Sequence, residues 1–184
     1  MRYRHATGAD APAMAALLAA NQHDALTEEQ RRAQGFVQGG FGEDALRAMA
    51  RAGELFVADD AGRVAGLLAL SAAADLPDPP PPVRALLDAQ DALRWEGRPL
   101  SAVRWLLYGP VVVDAAFRRR GVARALFTTA VAEAAGRAEA VVAFVEADNA
   151  PSRRVHVDGF GMTPLGDYEA GGRTYTALAA PASV

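Results

Sequence analysis

A valine-rich apolar stretch, Leu106 to Val113, leads into Arg118-Arg119-Arg120-Gly121-Val122-Ala123, and that run opens an amphipathic segment. This succession constrains the chain more than any other feature, because it reads as a strand passing through an anion-binding loop into a helix. The first turn of a helix leaves N–H groups without intrahelical acceptors and carries the positive end of the macrodipole. A phosphate satisfies both. Gly121 places no Cβ between backbone and ligand, and Ala123 keeps the next turn small, so a pyrophosphate could rest on main-chain amides. The alternative is an ordinary basic helix start, but cations there oppose the dipole, and an anionic ligand accounts better for Arg118, Arg119 and Arg120. The run is neither the dinucleotide G-x-G-x-x-G nor a Walker loop, which needs G-K-[ST]. All 19 basic residues are arginine, which excludes lysine Schiff-base chemistry and a P-loop lysine.

With 184 residues, 51% hydrophobic and 22% charged, residues 1–184 fit a single globular domain with one sizeable core. The net charge of −3 offers no global basic field for nucleic acid, despite the local arginine cluster. Cysteine is absent, which removes disulfides, cysteine nucleophiles and thiolate metal sites and is compatible with a reducing cytoplasm. His5, His23 and His156 match no zinc spacing, so no metal is expected. Met1 to Thr7 lacks a signal-peptide core, and no apolar run approaches the roughly 20 residues of a membrane helix.

Arg2 to Thr7 reads as a strand and Ala11 to Ala20 as a helix capped by Thr7 or Asp10. Thr27-Glu28-Glu29-Gln30 starts a helical patch, and the glycines Gly35, Gly39, Gly40 and Gly42 punctuate a loop with Phe36 and Phe41, read either as substrate-facing or as a plain helix connection. Asp44 to Ala52 reads helical. Leu55 to Ala58 and Val64 to Leu70 read as strands turned at Asp59-Asp60-Ala61-Gly62. Asp75 to Pro82, with five prolines, reads as a stiff surface excursion that is neither helix nor central strand. Val83 to Trp95 reads as a helix and Val103 to Val113 as a strand bulged or splayed at Gly109-Pro110. A helix from Gly121 to Ala135, a buried strand Ala140 to Glu146, a short helix Pro151 to Val157, and two strands centred on Met162 to Tyr168 and Arg173 to Ala179 complete the chain, the last pair turned at Ala170-Gly171-Gly172.

A splayed strand, an R-x-x-G-x-A loop and its helix, a buried strand ending near an asparagine, then a short helix and Gly159-Phe160 together resemble the GNAT superfamily of N-acetyltransferases over nearly the whole chain. The segment from Val111-Val112-Val113-Asp114 through Arg118-Arg119-Arg120-Gly121-Val122-Ala123-Arg124 looks like that family's acyl-CoA motif, and Asn149-Ala150-Pro151-Ser152 with His156 extends the match. The resemblance implies an α/β (α+β) fold: a mixed, mostly antiparallel central sheet of about seven strands, a splayed central strand pair and flanking helices. It implies acetyl-CoA (coenzyme A) as cofactor, the Val111 to Val113 backbone pairing with the pantetheine arm, amides from Arg119 through Arg124 holding the pyrophosphate, and Asn149 near the reactive end. The function implied is cytoplasmic acetyl transfer to a primary amine, on a small molecule or peptide N-terminus, by direct transfer in a ternary complex; a homodimer fits the same likeness. The alternative is a non-catalytic acyl-CoA-binding or regulatory module.

Acetyl transfer to an amine needs a neutral nucleophile, a stabilised oxyanion and a proton for the departing thiolate. Many relatives carry a tyrosine seven residues after the asparagine as the proton donor; His156 stands there, as acid or as a packing histidine. The glutamate base some relatives carry five residues before the asparagine is Phe144 here. Glu146 replaces it two positions along the same strand face, or is a strand-end carboxylate. Tyr108, at the strand splay, aligns water or substrate or is a core tyrosine, and Ser152 caps more readily than it reacts. Trp95, Trp105, Phe36 and Phe41 line an acceptor pocket or pack in the core.

Overall fold

The computed structural model describes residues 1–76 and 78–182. In chain order the elements are β1 (Arg2–His5), α1 (Ala11–Ala19), α2 (Glu28–Gln34), α3 (Glu43–Arg51), β2 (Leu55–Asp60), β3 (Arg63–Ser71), α4 (Pro81–Ala89), β4 (Arg94–Trp95), β5 (Arg98–Pro99), β6 (Trp105–Val113), α5 (Val122–Ala134), β7 (Ala140–Glu146), α6 (Ala150–Arg154), β8 (Thr163–Ala170) and β9 (Arg173–Pro181). Seven strands form one mixed sheet in the order β1-β2-β3-β6-β7-β9-β8, with β4 and β5 as a separate hairpin. This is the expected architecture, with β1/β2, β2/β3, β7/β9 and β8/β9 antiparallel and β6/β7 parallel. By internal contacts the chain groups into two units, Met1–Leu70 with Tyr108–Ala130, and Ser71–Leu107 with Val131–Val184.

In the first unit the β2–β3 connection is a two-residue turn with Ala61 at φ 53° and Gly62 at φ 91°, the doubly left-handed geometry that matches strand twist. The Gly62 amide donates to Asp59 Oδ1 at 2.7 Å. Helices α1 and α3 bury Met14, Leu17, Leu18 and Leu46 against Leu55, Val57, Leu67 and Val112. One close approach sets the geometry behind the anion loop: a Cβ on Gly66 would stand 3.0 Å from the Val112 carbonyl oxygen and 3.2 Å from both Leu126 Cδ1 and Val122 Cγ1. Glycine lets strand, strand and helix meet there. At the N-terminus Arg4 forks onto Asp10 at 2.8 and 2.9 Å and reaches Asp59 at 2.9 Å, while Asp10 Oδ2 also accepts from the Thr7 amide at 2.7 Å. The Arg4 guanidinium, followed by the Thr7 amide, holds the Asp10 carboxyl at about 2, against the usual 3.8.

In the second unit Val83, Leu86, Leu93, Trp95, Leu100, Leu107, Val142, Tyr168, Tyr175 and Ala177 share one core. Two sequence expectations are corrected here. Pro81 and Pro82 open α4, because the first helical turn needs no N–H donors and proline presets its φ; the expectation for Pro77 in the same tract lies outside the described residues. The helix expected to reach Trp95 stops at Ala89. Glu96 (φ 49°) and Gly97 (φ 80°) make a tight turn, Arg94–Trp95 pairs with Arg98–Pro99, and Leu100 N donates to Leu93 O at 2.9 Å. Trp95 is thereby drawn into the core, a tertiary gain that overrides helical propensity. The parallel ladder of β6 with β7 pairs Trp105, Leu106 and Leu107 with Ala140, Val141 and Val142, immediately before Tyr108 and the cis Gly109–Pro110 bond.

Gly66→Val should overpack the β3–β6–α5 meeting point and lower stability by about 1–3 kcal/mol, read as a fall in thermal midpoint; an unchanged midpoint would contradict the tight approach. Because the Asp10 carboxyl is depressed in the folded state, its contribution is complete above pH 3.8 and lost as pH falls toward 2. Asp10→Asn should therefore cost about 1–2 kcal/mol at neutral pH and far less in acid, measured by denaturant melts at both.

Candidate active site

The first unit carries the loop that the sequence marks as a candidate anion site. After β6, Asp114 caps a single turn, Ala115–Phe117, by accepting from the Ala116 amide at 2.9 Å, and its other oxygen takes Arg63 Nη2 at 2.7 Å. The Ala116 amide first and Arg63 second lower the Asp114 carboxyl below the usual carboxylate range. Phe117 is buried beneath two guanidinium groups, Arg63 at 5.1 Å and Arg120 at 5.6 Å from its ring centre. Arg119 (φ 60°) and Gly121 (φ 79°) then take left-handed backbone on either side of Arg120. Left-handed backbone of this kind is a recurrent feature of turns whose successive amides face an anion. The first bond into α5 runs from Ala125 N to Gly121 O, so the preceding amides point out of the N-terminal end. Among the described residues, nothing beyond its own chain neighbours lies within 4 Å of where a Gly121 Cβ would stand, so glycine is required there by its φ, and the space above it is open.

The arginines divide into two roles that the sequence did not separate. Arg119 and Arg120 are exposed. Arg118 turns inward: Nε donates to Val113 O at 3.1 Å, Nη2 to Asn21 Oδ1 at 2.7 Å, and Nη1 to Gln34 Oε1. Val112 is buried in the core, while Val111 and Val113 are only partly covered. Tyr108, 2% exposed, sits edge-on to Phe127 at 5.5 Å. Burial pushes its phenol well above the usual range, so it stays protonated and can donate but not serve as a base.

The second unit carries the remaining candidates. Glu146 closes β7, is buried, and accepts from Arg173 Nη1 at 2.7 Å through Oε1. Asn149 N donates to Glu146 O at 2.9 Å, and Asn149 Oδ1 accepts from the Ser152 amide at 3.3 Å, so the buried asparagine caps α6. Helix α6 widens into a π turn, Val155–Gly159, which holds His156 at 5% exposure and edge-on to Phe160 at 5.4 Å. His156 Nδ1 lies 2.8 Å from Ser152 O and 3.4 Å from Ser152 Oγ. A carbonyl can only accept, so the proton is assigned to Nδ1 and the lone pair to Nε2. Burial lowers the imidazole from 6.5, opposed by the Ser152 carbonyl, which favours the cation. At neutral pH His156 is therefore a neutral, orientated proton acceptor.

Glu146, Asn149, Ser152 and His156 thus form a continuous bonded series in the second unit, while Tyr108, Val111 to Val113 and Arg118 to Arg124 lie in the first. Sequence reasoning missed Arg173. Its only signal was the last hairpin, whose pairing with β7 sets Glu146 opposite Tyr175. It also missed Asn21 and Gln34, which lie 97 and 84 residues from Arg118 and carry no motif. Of the aromatic residues considered for an acceptor pocket, Trp95 and Trp105 belong to the second core, Phe41 to the first, and Phe36 sits edge-on to His23. Among the described residues no histidine and carboxylate cluster could hold a metal, and no helix is long and apolar enough to cross a membrane.

The acetyltransferase (GNAT) family model matches residues 20–162, and the chain belongs to that family. No curated protein matches it. Among solved structures it is similar to yncA from Salmonella typhimurium, a structure with its cofactor acetyl-CoA: 19% identity over 100% of this chain and 95% of that one, TM-score 0.64. It is similar too to a ribosomal-protein-alanine N-acetyltransferase from Brucella melitensis (21% identity, 98% and 99% coverage, TM-score 0.60) and to an N-acetyltransferase from Staphylococcus aureus Mu50 (18%, 99% and 98%, TM-score 0.62). These likenesses concern the fold.

Proposed function

We propose that the protein transfers an acetyl group from acetyl-CoA to the primary amine of a small molecule or peptide N-terminus, directly within a ternary complex. The left-handed Arg119–Gly121 loop at the head of α5 is the observation that carries this reading, since it offers a helix N-terminus, an open face and two exposed arginines to a pyrophosphate. The family supports the chemistry, and the acetyl-CoA of the similar Salmonella structure supports the cofactor. In this reading the amides from Arg119 to Arg124 hold the pyrophosphate, the Val111 to Val113 backbone lines the pantetheine arm, and Asn149 and Ser152 shape the reactive end.

An alkylammonium acceptor sheds two protons during the transfer, one before attack and one from the tetrahedral adduct, and the departing thiolate takes one back. Glu146, held by Arg173, takes the first through water and passes it to solvent. The neutral nitrogen attacks the thioester carbonyl carbon. His156 Nε2 accepts the second proton, the Ser152 carbonyl stabilises the imidazolium through Nδ1–H, and the proton passes to sulfur as the C–S bond breaks. Tyr108, always protonated, donates a hydrogen bond that aligns substrate or water.

Calorimetry with acetyl-CoA should show binding by the wild type that Arg120→Glu weakens about tenfold or more, by placing a negative charge beside the amides; equal affinities would remove the loop from the site, and no wild-type binding would end the acetyltransferase reading. Because His156 must begin neutral and its pKa is lowered from 6.5, kcat/KM should rise with pH through a limb below that value. In His156→Ala that limb should vanish and kcat fall about 10²–10⁴-fold. An acid limb that survives the substitution, or ping-pong kinetics, would contradict the scheme.

A further inference from the structure

Glu146 has a neighbourhood that the proton transfers above do not use. It stands directly opposite Tyr175 of β9, and Tyr175 stands directly opposite Tyr168 of β8. The three side chains therefore form one row across β7, β9 and β8 on a common face of the sheet. Phe144 shares that face, two residues and about 7 Å before Glu146 along β7. The residues opposite Phe144 are small, Ala177 on β9 and beyond it Gly166 on β8. Its ring makes its aromatic contact with the neighbouring row, edge-on to Tyr175 at 5.8 Å and 83°. Tyr175 in turn is stacked on Tyr168 at 5.7 Å and 23°.

The two tyrosines are core residues, 3% exposed for Tyr175 and 7% for Tyr168, packed with Leu86, Leu93 and Trp95. Phe144 is only partly covered and packs against that core from its margin. Tyr168 is held for its ring: among the described residues its buried hydroxyl has no hydrogen-bond partner, a cost to stability that the stack must offset. Burial, followed by the nearby Tyr175, pushes the Tyr168 phenol far above its usual range. Burial first and Glu146 second raise Tyr175 as well, with Arg173 opposing. Both phenols therefore stay neutral, and Phe144 is a firmly backed aromatic surface, still open on one side, next to a carboxylate.

Resting on the amine acetylation proposed above and on Glu146 as its base, we propose that Phe144 is a specificity-determining residue. Its ring receives an apolar group carried two carbons from the acceptor nitrogen, so the acceptors are 2-arylethylamines, either free or in the form of a peptide whose N-terminal residue has that shape. A nitrogen joined to Glu146 through one water lies about 5 Å from the carboxylate. A two-carbon arm carries an aryl ring from there back along β7 to Phe144. Ring against ring removes apolar area from water and adds the edge or offset contact that aromatic pairs favour. Tyr175 and Tyr168 hold the Phe144 ring in place from behind.

Acetyl transfer to 2-phenylethylamine, phenylalaninamide and ethylamine tests this, with kcat/KM expressed for the unprotonated amine. A ratio of two such values on one preparation does not depend on how much of it is folded. The wild type should prefer 2-phenylethylamine to ethylamine about 10–100-fold, as burial of one apolar side chain implies. Phe144→Ala should bring the ratio within about threefold, chiefly by raising KM for the aryl amine. Phe144→Leu, apolar but without a ring, should fall between the two. Tyr168→Phe should keep the wild-type ratio, because the stack survives and only an unpaired hydroxyl is lost. Phenylalaninamide used at least as well as 2-phenylethylamine supports peptide N-termini as the acceptors, and a lower value supports the free amine. A wild-type ratio under about threefold, a preference that survives Phe144→Ala, or one that Tyr168→Phe abolishes would overturn the assignment, while transfer to these amines would leave the acetyltransferase reading standing. A protein that binds acetyl-CoA yet releases no CoA with any primary amine would overturn both.

Discussion

The first unit depends on how the chain enters helix α5, through left-handed backbone at Arg119 and Gly121. A non-glycine residue at positive φ needs support from its surroundings, and the structure supplies it on both sides. Asp114 closes the preceding turn, Phe117 anchors it in the core beneath two cations, and Arg118 ties the loop back to β6 and two further segments. Beneath the loop, Gly66 lets β3 approach the Val112 carbonyl and the first turns of α5 closely enough that no Cβ fits without displacement. A Cβ at Gly66 would push on the two elements that flank the loop, whereas one at Gly121 would meet only open space and an unfavourable φ.

The second unit solves a different problem, that of keeping polar groups buried without leaving them unsatisfied. Glu146, Asn149 and His156 are each under 8% exposed, and burying such groups costs several kcal/mol unless each is hydrogen-bonded. Each has a named partner: Arg173 for the carboxylate, the Ser152 amide for the asparagine, the Ser152 carbonyl for the histidine. Ser152 serves both neighbours through its main chain, so its hydroxyl is not what the arrangement requires. The π turn gives His156 its place above α6, and the carbonyl beneath it selects the tautomer. The free lone pair at Nε2 is thus a consequence of backbone geometry as much as of the residue type.

Much of this was visible in the residues alone, and the divisions are physical. The loop was legible because glycine, alanine and a valine-rich strand have local meanings that survive any packing. Strand β7 was located to its end residues by its unbroken apolar run, and the last hairpin by Gly171-Gly172. Val83 to Trp95 was misjudged because nothing local announces that Arg94–Trp95 will pair with Arg98–Pro99; the decision belongs to Trp95, whose burial outweighs the helical preference of its neighbours. Pro81 and Pro82 were misplaced for the converse reason, since proline forbids a helix interior but favours its first turn.

The sequence by itself determined the main strands and helices, the GNAT resemblance, the candidate anion loop and the asparagine, serine and histidine series, because each rests on spacings within a few residues and on side chains whose chemistry does not depend on neighbours. The tertiary structure alone decided which arginine faces the loop and which supports it, which carboxylate is tied to Arg173, and which protonation state His156 adopts. Those outcomes turn on contacts between residues 27 to 97 positions apart and on how far each group is removed from water, quantities that no local pattern encodes.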